Sequence, residues 1–289
     1  MFPSIALVTP SYNQNKYLER TIKSVISQNY PNLEYLIIDG GSIDGSLKTI
    51  EKYESHLAYW TTGSDAGQYD AVQRGFEHSS GEIMGYINSD DVYFPWTLQV
   101  VSEVFSTFPQ IEWLTTSRPC ATGANVSFPI VHTHYNRSHR WFLTTRGKLL
   151  ETRGFMQQEA TFWRRSLWEK SGSRLDTELH YAGDFELWSR FYLYAIPVTV
   201  DIPLAMFRIH KEQKTSQMKA YILEANQIIT KYPRPVPIHP LFIRILNRIY
   251  QHTGSNSNWF GARCDRLSYD FIKEIWVYQK SLEWRNYHE

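Results

Sequence analysis

Cysteine is nearly absent from this chain: Cys120 and Cys264 are the two among 289 residues. They lie far apart and without metal-type spacing, which excludes a disulfide framework and fits a reducing compartment. Net charge is also close to nil. Thirty basic residues against 29 acidic ones give +1, so no overall field draws the chain to nucleic acid. No run approaches about 18 uninterrupted apolar residues, so no membrane span is expected. The opening Met1-Phe2-Pro3-Ser4 has no charged n-region, and Ile5 to Val8 is too short for a signal h-region. Common chemical motifs are missing too. There is no P-loop GxxxxGK, and Gly40-Gly41-Ser42-Ile43-Asp44-Gly45 is not the dinucleotide GxGxxG; HExxH and GxSxG do not occur.

What is present is core material. Hydrophobic residues make up 42% and charged residues 20%, enough for one large domain or two small ones. Tyr (19), Phe (15) and Trp (10) are abundant. Their rings serve equally as packed core or as platforms for sugar faces.

The first 115 residues alternate strand and helix signals. Ile5 to Thr9, Tyr35 to Ile38, Leu57 to Thr61, the run ending Ile83-Met84-Gly85-Tyr86-Ile87, and Trp113 to Thr115 read as strands. Between them, Leu18, Ile22, Val25 and Ile26 recur at helical spacing, and Ser46 to Tyr53, Gln68 to Ser79 and Pro95 to Phe108 read as helices. Alternation at this spacing predicts βαβ units and a mostly parallel sheet. Its strand-end loops then share one rim: Pro10 to Asn13, Asp39 to Gly45, Ser64 to Tyr69, and Asn88 to Asp91. Periodicity fades from Cys120 to Arg153. Helices return at Ser166 to Ser171 and Asp184 to Tyr194, a strand at Ile196 to Val200, and a helical pattern after Thr215.

Asn88-Ser89-Asp90-Asp91 is the most informative stretch. Two adjacent carboxylates at a strand end repel each other and favour a cationic partner. Clustered oxygens suit a hard divalent ion carrying substrate phosphates. A turn-starting Asp pair is the bland alternative.

Four more segments join it: Thr9-Pro10-Ser11-Tyr12-Asn13, Asp39 to Gly45, Asp65-Ala66-Gly67-Gln68-Tyr69-Asp70 running on to Gly75, and Ala182-Gly183-Asp184-Phe185-Glu186-Leu187-Trp188. Their order and spacing resemble the family 2 glycosyltransferases of the GT-A fold, over roughly residues 3 to 216. The resemblance implies roles. Thr9, Pro10 and Tyr12 border the nucleotide base, and Asp39 bonds it. Asp65 is a further nucleotide-side acid, and Arg74 either reaches the diphosphate or is an exposed helix arginine. Asp90 faces the ribose or the metal, and Asp91 ligates the metal, Mn2+ or Mg2+. His210, in Phe207-Arg208-Ile209-His210, is a further metal or diphosphate ligand, with Lys214-Thr215-Ser216 along the phosphates. Gln158 and Glu159 flank the donor sugar, and Trp163 either stacks on a sugar face or is core. Asp184 is the base of an inverting transfer, with Glu186 its nearest competitor and a helix cap its structural alternative. One departure is Ala66, where the family pattern carries Lys.

The expectation is therefore an α/β chain of GT-A fold, with a mostly parallel central sheet flanked by helices. Residues 1–214 form the catalytic domain, 1–118 its nucleotide-sugar half and 119–214 its acceptor half; 215–289 form a C-terminal helical extension. It would be a cytoplasmic, metal-dependent enzyme moving sugar from a nucleoside diphosphate, UDP favoured, to a glycan or lipid-linked hydroxyl. The rivals are a catalytically silent sugar- or nucleotide-binding module and a nucleotidyltransferase. Leu241 to Tyr250, apolar with interspersed Arg, reads as a membrane-surface contact at the inner face, a helix packed on the domain, or a homodimer face.

Overall fold

The computed structural model describes residues 2–123, 127–129, 156–210, 213, 217–232 and 265–280. Strands β1 (Ile5–Ser11), β2 (Leu33–Asp39), β3 (Tyr59–Thr62) and β4 (Ile83–Tyr86) are joined by helices α1 (Asn15–Ile26), α2 (Ser46–Lys52) and α3 (Gln68–Glu77). β1 runs parallel to β2 and β4, and β2 parallel to β3. Helical crossovers demand that pairing, and they leave four strand C-termini on one rim.

The chain continues through β5 (Val92–Tyr93), α4 (Thr97–Thr107), β6 (Trp113–Thr116), β7 (Cys120–Thr122) and β8 (Ser127–Pro129). Then follow β9 (Phe162–Arg164), α5 (Arg165–Lys170), α6 (Gly183–Phe191), β10 (Val198–Val200), β11 (Ala205–Arg208), α7 (Met218–Lys231), β12 (Asp265–Asp270) and β13 (Ile275–Gln279). Among the described residues they make a nine-stranded sheet, β13-β12-β10-β6-β9-β4-β1-β2-β3, and a four-stranded sheet, β5-β11-β7-β8.

Both faces of the large sheet are covered. Ile5, Leu7, Tyr35 and Ile37 face α1 and α4 through Leu18, Ile22, Val25, Leu98, Val101 and Val104. The alternate residues Val8, Leu36, Ile38, Met84 and Tyr86 face α3, α5 and α6 through Val72, Phe76, Leu167, Trp168, Trp188 and Phe191. Period-two alternation thus sorts side chains into two cores.

Two features depart from the expected pattern. β9 lies between β4 and β6 and is antiparallel to both. The region after Thr215 supplies the expected helix in α7, but residues 265–279 form a β-hairpin. Its β12 pairs in parallel with β10, and β13 closes the edge antiparallel. Residues 233–264, including Leu241 to Tyr250, lie outside the described residues, as do residues 214–216.

Candidate active site

The Asn88–Asp91 turn leaves the end of β4 and is pinned on both sides. Thr21 Oγ1 of α1 donates to the carbonyls of Ser89 (2.8 Å) and Asp91 (2.7 Å). The Asp91 carboxylate is fully buried. Its Oδ1 accepts the Arg208 backbone N–H at 2.8 Å, and its Oδ2 the Asn88 side-chain amide at 3.2 Å. The resemblance assigns Asp91 to the metal; the structure turns it inward as the brace that holds the turn on β11. Burial, with Glu159 and Asp90 adding negative charge, pushes its carboxyl well above the usual range.

Asp90 points the other way. Its Oδ2 lies 2.8 Å from His210 Nε2. The His210 ring packs on Tyr17 at 4.7 Å between centroids, and the Arg208 guanidinium lies over the same ring at 5.2 Å. Arg208 Nε donates to the Asp90 carbonyl. Among the described residues, Arg208 Nη2 and His210 Nδ1 are buried without a hydrogen-bond partner, a costly state that a polar ligand would relieve. Arg208 is absent from the site expected by sequence. The available signal was an arginine two residues before a histidine, Arg208-Ile209-His210, after a short apolar stretch.

At the end of β2, Asp39 organises its own loop. Its Oδ2 accepts from Gly41 N (3.1 Å), Ser42 N (2.8 Å) and Thr62 Oγ1 (2.8 Å), and its Oδ1 from Ser42 Oγ (2.6 Å). Asp65 accepts from Gly67 N at 2.9 Å and packs against Gly40. A Cβ on Gly40 would sit 2.8 Å from Asp65 Oδ2, so a larger residue there would push the Asp65 carboxylate aside. Burial raises the Asp65 carboxyl, and nearby Asp70 and Asp39 add to it, against the opposing Gly67 N–H. Tyr12 stands exposed beside these loops, whereas Thr9 and Pro10 are buried within β1, with Thr9 Oγ1 3.1 Å from the Tyr35 hydroxyl. Arg74 does not reach toward the Asp90–His210 pair. It is paired with Asp70, one turn earlier, at 2.7 Å.

The turn before β9 brings in Gln158 and Glu159, both buried. Gln158 Nε2 donates to the Tyr86 carbonyl at 2.6 Å, and Glu159 accepts from Gln157 Nε2 at 2.7 Å. Burial raises the Glu159 carboxyl, and the Asp90 and Asp184 charges raise it further. Trp163 has no such place. It is fully buried, edge-on to Phe76, Tyr86, Trp188 and Phe191. The expected sugar contact is corrected to core packing: the Trp163 indole fills the aromatic core between β9 and α6 and has no exposed face to offer a sugar.

Asp184 lies in the first turn of α6, one residue past the start, and is half-buried. Its Oδ1 accepts the Phe185 N–H at 2.8 Å. Burial pushes it up to about 7 against the Phe185 and Tyr221 hydrogen bonds. Glu186 is excluded as a rival, because Arg190 (2.9 Å) and the Tyr232 hydroxyl hold its carboxylate. The start of α3 ties Asp184 to the Asp turn. Gln68 Nε2 donates to Asn88 Oδ1 at 2.6 Å, and the adjacent Tyr69 hydroxyl donates to the Tyr181 carbonyl at 2.8 Å. Gly183 meets the Tyr69 ring so closely that a Cβ would lie 2.7 Å from it.

Among the described residues, no three His, Cys, Asp or Glu side chains are grouped to hold a metal ion. Asp90 and His210 nonetheless offer a carboxylate oxygen and an imidazole nitrogen in contact. A donor pair of that kind fits Mn2+ or Mg2+ when diphosphate oxygens and water complete the shell.

A mostly parallel sheet covered on both faces, with acidic loops along its C-terminal rim and a small second sheet beside them, is the GT-A architecture of glycosyltransferases. The glycosyl transferase family 2 model matches residues 6–170, and the chain belongs to that family. An uncharacterized glycosyltransferase of Mycobacterium tuberculosis is 38% identical over 90 residues, 31% of this chain and 34% of the relative. A Bacillus subtilis relative whose name refers to teichuronic acid biosynthesis is 33% identical over 94 residues, 31% of this chain and 36% of that one. These matches span about a third of the relatives' own length. S. aureus TarS, residues 1–349 in complex with UDP-GlcNAc, superposes with a TM-score of 0.63 at 17% identity, covering 88% of this chain and 74% of that one. The Pyrobaculum calidifontis mannosyltransferase PcManGT, in complex with GDP-Man and Mn2+, gives 0.60 at 16% identity, covering 84% and 69%. No helix among the described residues is long and apolar enough to cross a membrane.

Proposed function

We propose that this chain is an inverting glycosyltransferase that moves sugar from a nucleoside diphosphate to a glycan or lipid-linked hydroxyl. One observation carries the reading. The Asp90–His210 pair and Asp184 are tied together through the start of α3, where Gln68 bonds Asn88 of the Asp turn and the adjacent Tyr69 bonds Tyr181 of the loop leading into Asp184. The donor would enter between the strand-end loops, its nucleotide along Tyr12, Asp39 and Asp65. Residues 1–118 would form the nucleotide-sugar half and 119–214 the acceptor half, with Arg208 and His210 reaching across to the donor's diphosphate. A UDP-sugar is the proposed donor, as in the TarS complex.

Asp90 and His210 would hold a divalent ion, which when bound neutralises the charge that builds on the departing diphosphate. Asp91 keeps that pair in place from behind, and Arg208 presents its unpartnered Nη2 as a further cation. Asp184 takes the proton from the acceptor oxygen as that oxygen attacks the anomeric carbon. A carboxyl titrating near 7 is matched to accepting that proton at neutral pH.

The test has two stages. Thermal shift with UDP, GDP and dTDP, each with Mn2+ or with EDTA, identifies the base; stabilisation by one of them is expected only with the ion. Donor consumption with the matching sugar nucleotide then compares variants. Asp184→Asn should retain diphosphate binding and lose about 10²–10⁴-fold in transfer. Wild-type turnover in that variant removes the base assignment. Asp90→Asn should lose the ion-dependent stabilisation.

A further inference from the structure

The loop that leads into Asp184 is gripped from outside the matched family region. Glu224, on α7, accepts three consecutive backbone N–H groups: His180 at 3.1 Å on Oε1, and Tyr181 and Ala182 at 2.8 Å each on Oε2. One carboxylate thus satisfies three consecutive loop amides just before α6, the last of them at its N-cap, Ala182. The same helix packs Ala225 and Ile228 on Ala182 and Phe185. It also supplies Tyr221, whose hydroxyl bonds Asp184. From the other side, Tyr69 holds the Tyr181 carbonyl and presses on Gly183. The 180–184 segment is clamped between α3 and α7, and on the α7 side the charged contact is Glu224.

We propose that Glu224 is a positioning residue that fixes the loop carrying Asp184, so that α7 sets where the base stands. The inference rests on the reading of Asp184 as base. Its geometry does not depend on the identity of donor or acceptor. The titratable groups that face Asp184 are Tyr69 from α3, Tyr86 from β4, Glu159 from the turn before β9, and Tyr221 and Glu224 from α7. Of these, Glu224 holds the loop backbone and also places a like charge beside the base.

Glu224→Gln tests this on the full chain, since it keeps size while removing the charge and part of the acceptor capacity. Amide hydrogen exchange should become about ten-fold faster at residues 180–182, with the amides of β1, β2 and β4 unchanged. The second readout is the stability difference between wild type and Asp184→Asn as a function of pH, which reports the Asp184 titration. Its midpoint should fall when the same comparison is made in the Glu224→Gln background, because a like charge has gone. The proposal is overturned if exchange at 180–182 and the midpoint both stay as in wild type. It is equally overturned if protection falls uniformly across the sheet, which marks a general packing role. Neither readout needs turnover. An Asp184→Asn chain that transfers sugar normally removes the base reading and leaves the Glu224 clamp standing.

Discussion

Asp184 gains its chemistry from where it is placed. With its carboxyl near 7, roughly one molecule in ten is ionised at pH 6 and nine in ten at pH 8. Transfer with saturating donor should therefore rise roughly nine-fold over that interval; a flat profile in initial-rate measurements contradicts the assignment. Stability runs the opposite way. The folded chain binds a proton on Asp184 that the unfolded chain has released above about 4, so this contribution is full below that pH and is lost as pH rises through 7. Asp184→Asn should thus be more stable than wild type at pH 8, with the gap closing toward pH 4 in thermal melts. Trp163→Ala should cost about 3–5 kcal/mol in urea unfolding, as a core deletion does, and leave diphosphate affinity unchanged in the fraction that remains folded. The sequence made these residues visible as acids and rings at strand ends, but it did not reveal their direction. Asp91 turns inward because a backbone N–H 117 residues away donates to it, and Asp39 is locked partly by a hydroxyl 23 residues away. Partners so distant leave no local pattern to read.

Elements were more legible than residues. Ile5 to Val8 and Tyr35 to Ile38 carry apolar runs long enough to announce buried strands, and α1 repeats its core residues at helical spacing. β9 was hidden because three residues hold no period, and because its place between β4 and β6 is decided by tertiary pairing. The α3–α6 contact was equally hidden, since it depends on a glycine whose importance is steric. Gly183→Ala forces a methyl onto the Tyr69 ring. It should cost about 1–3 kcal/mol of stability and lower transfer while diphosphate-induced thermal shifts persist. Equal loss of both would mean that the α3 start does not position Asp184 separately from the donor site.

At the scale of the whole molecule, the C-terminal hairpin is part of the sheet. Leu267 is fully buried, Arg266 pairs with Asp201, and the Trp276 indole N–H reaches Glu103 at 3.3 Å. A chain ending at residue 264 should melt at a lower temperature by calorimetry and self-associate in light scattering, because β10 becomes an open edge. Unchanged melting would show that the hairpin is dispensable. The sequence hid this role behind helical spacing and a stretch of prolines, although α7 itself was legible. There is a consequence for biosynthesis. A nascent polypeptide extends at about 5–20 residues per second, so the partner of β10 emerges from the ribosome several seconds after β10 itself. During that interval β10, whose other side pairs with β6, presents an open edge, and the nascent chain is then most exposed to strand addition from other chains.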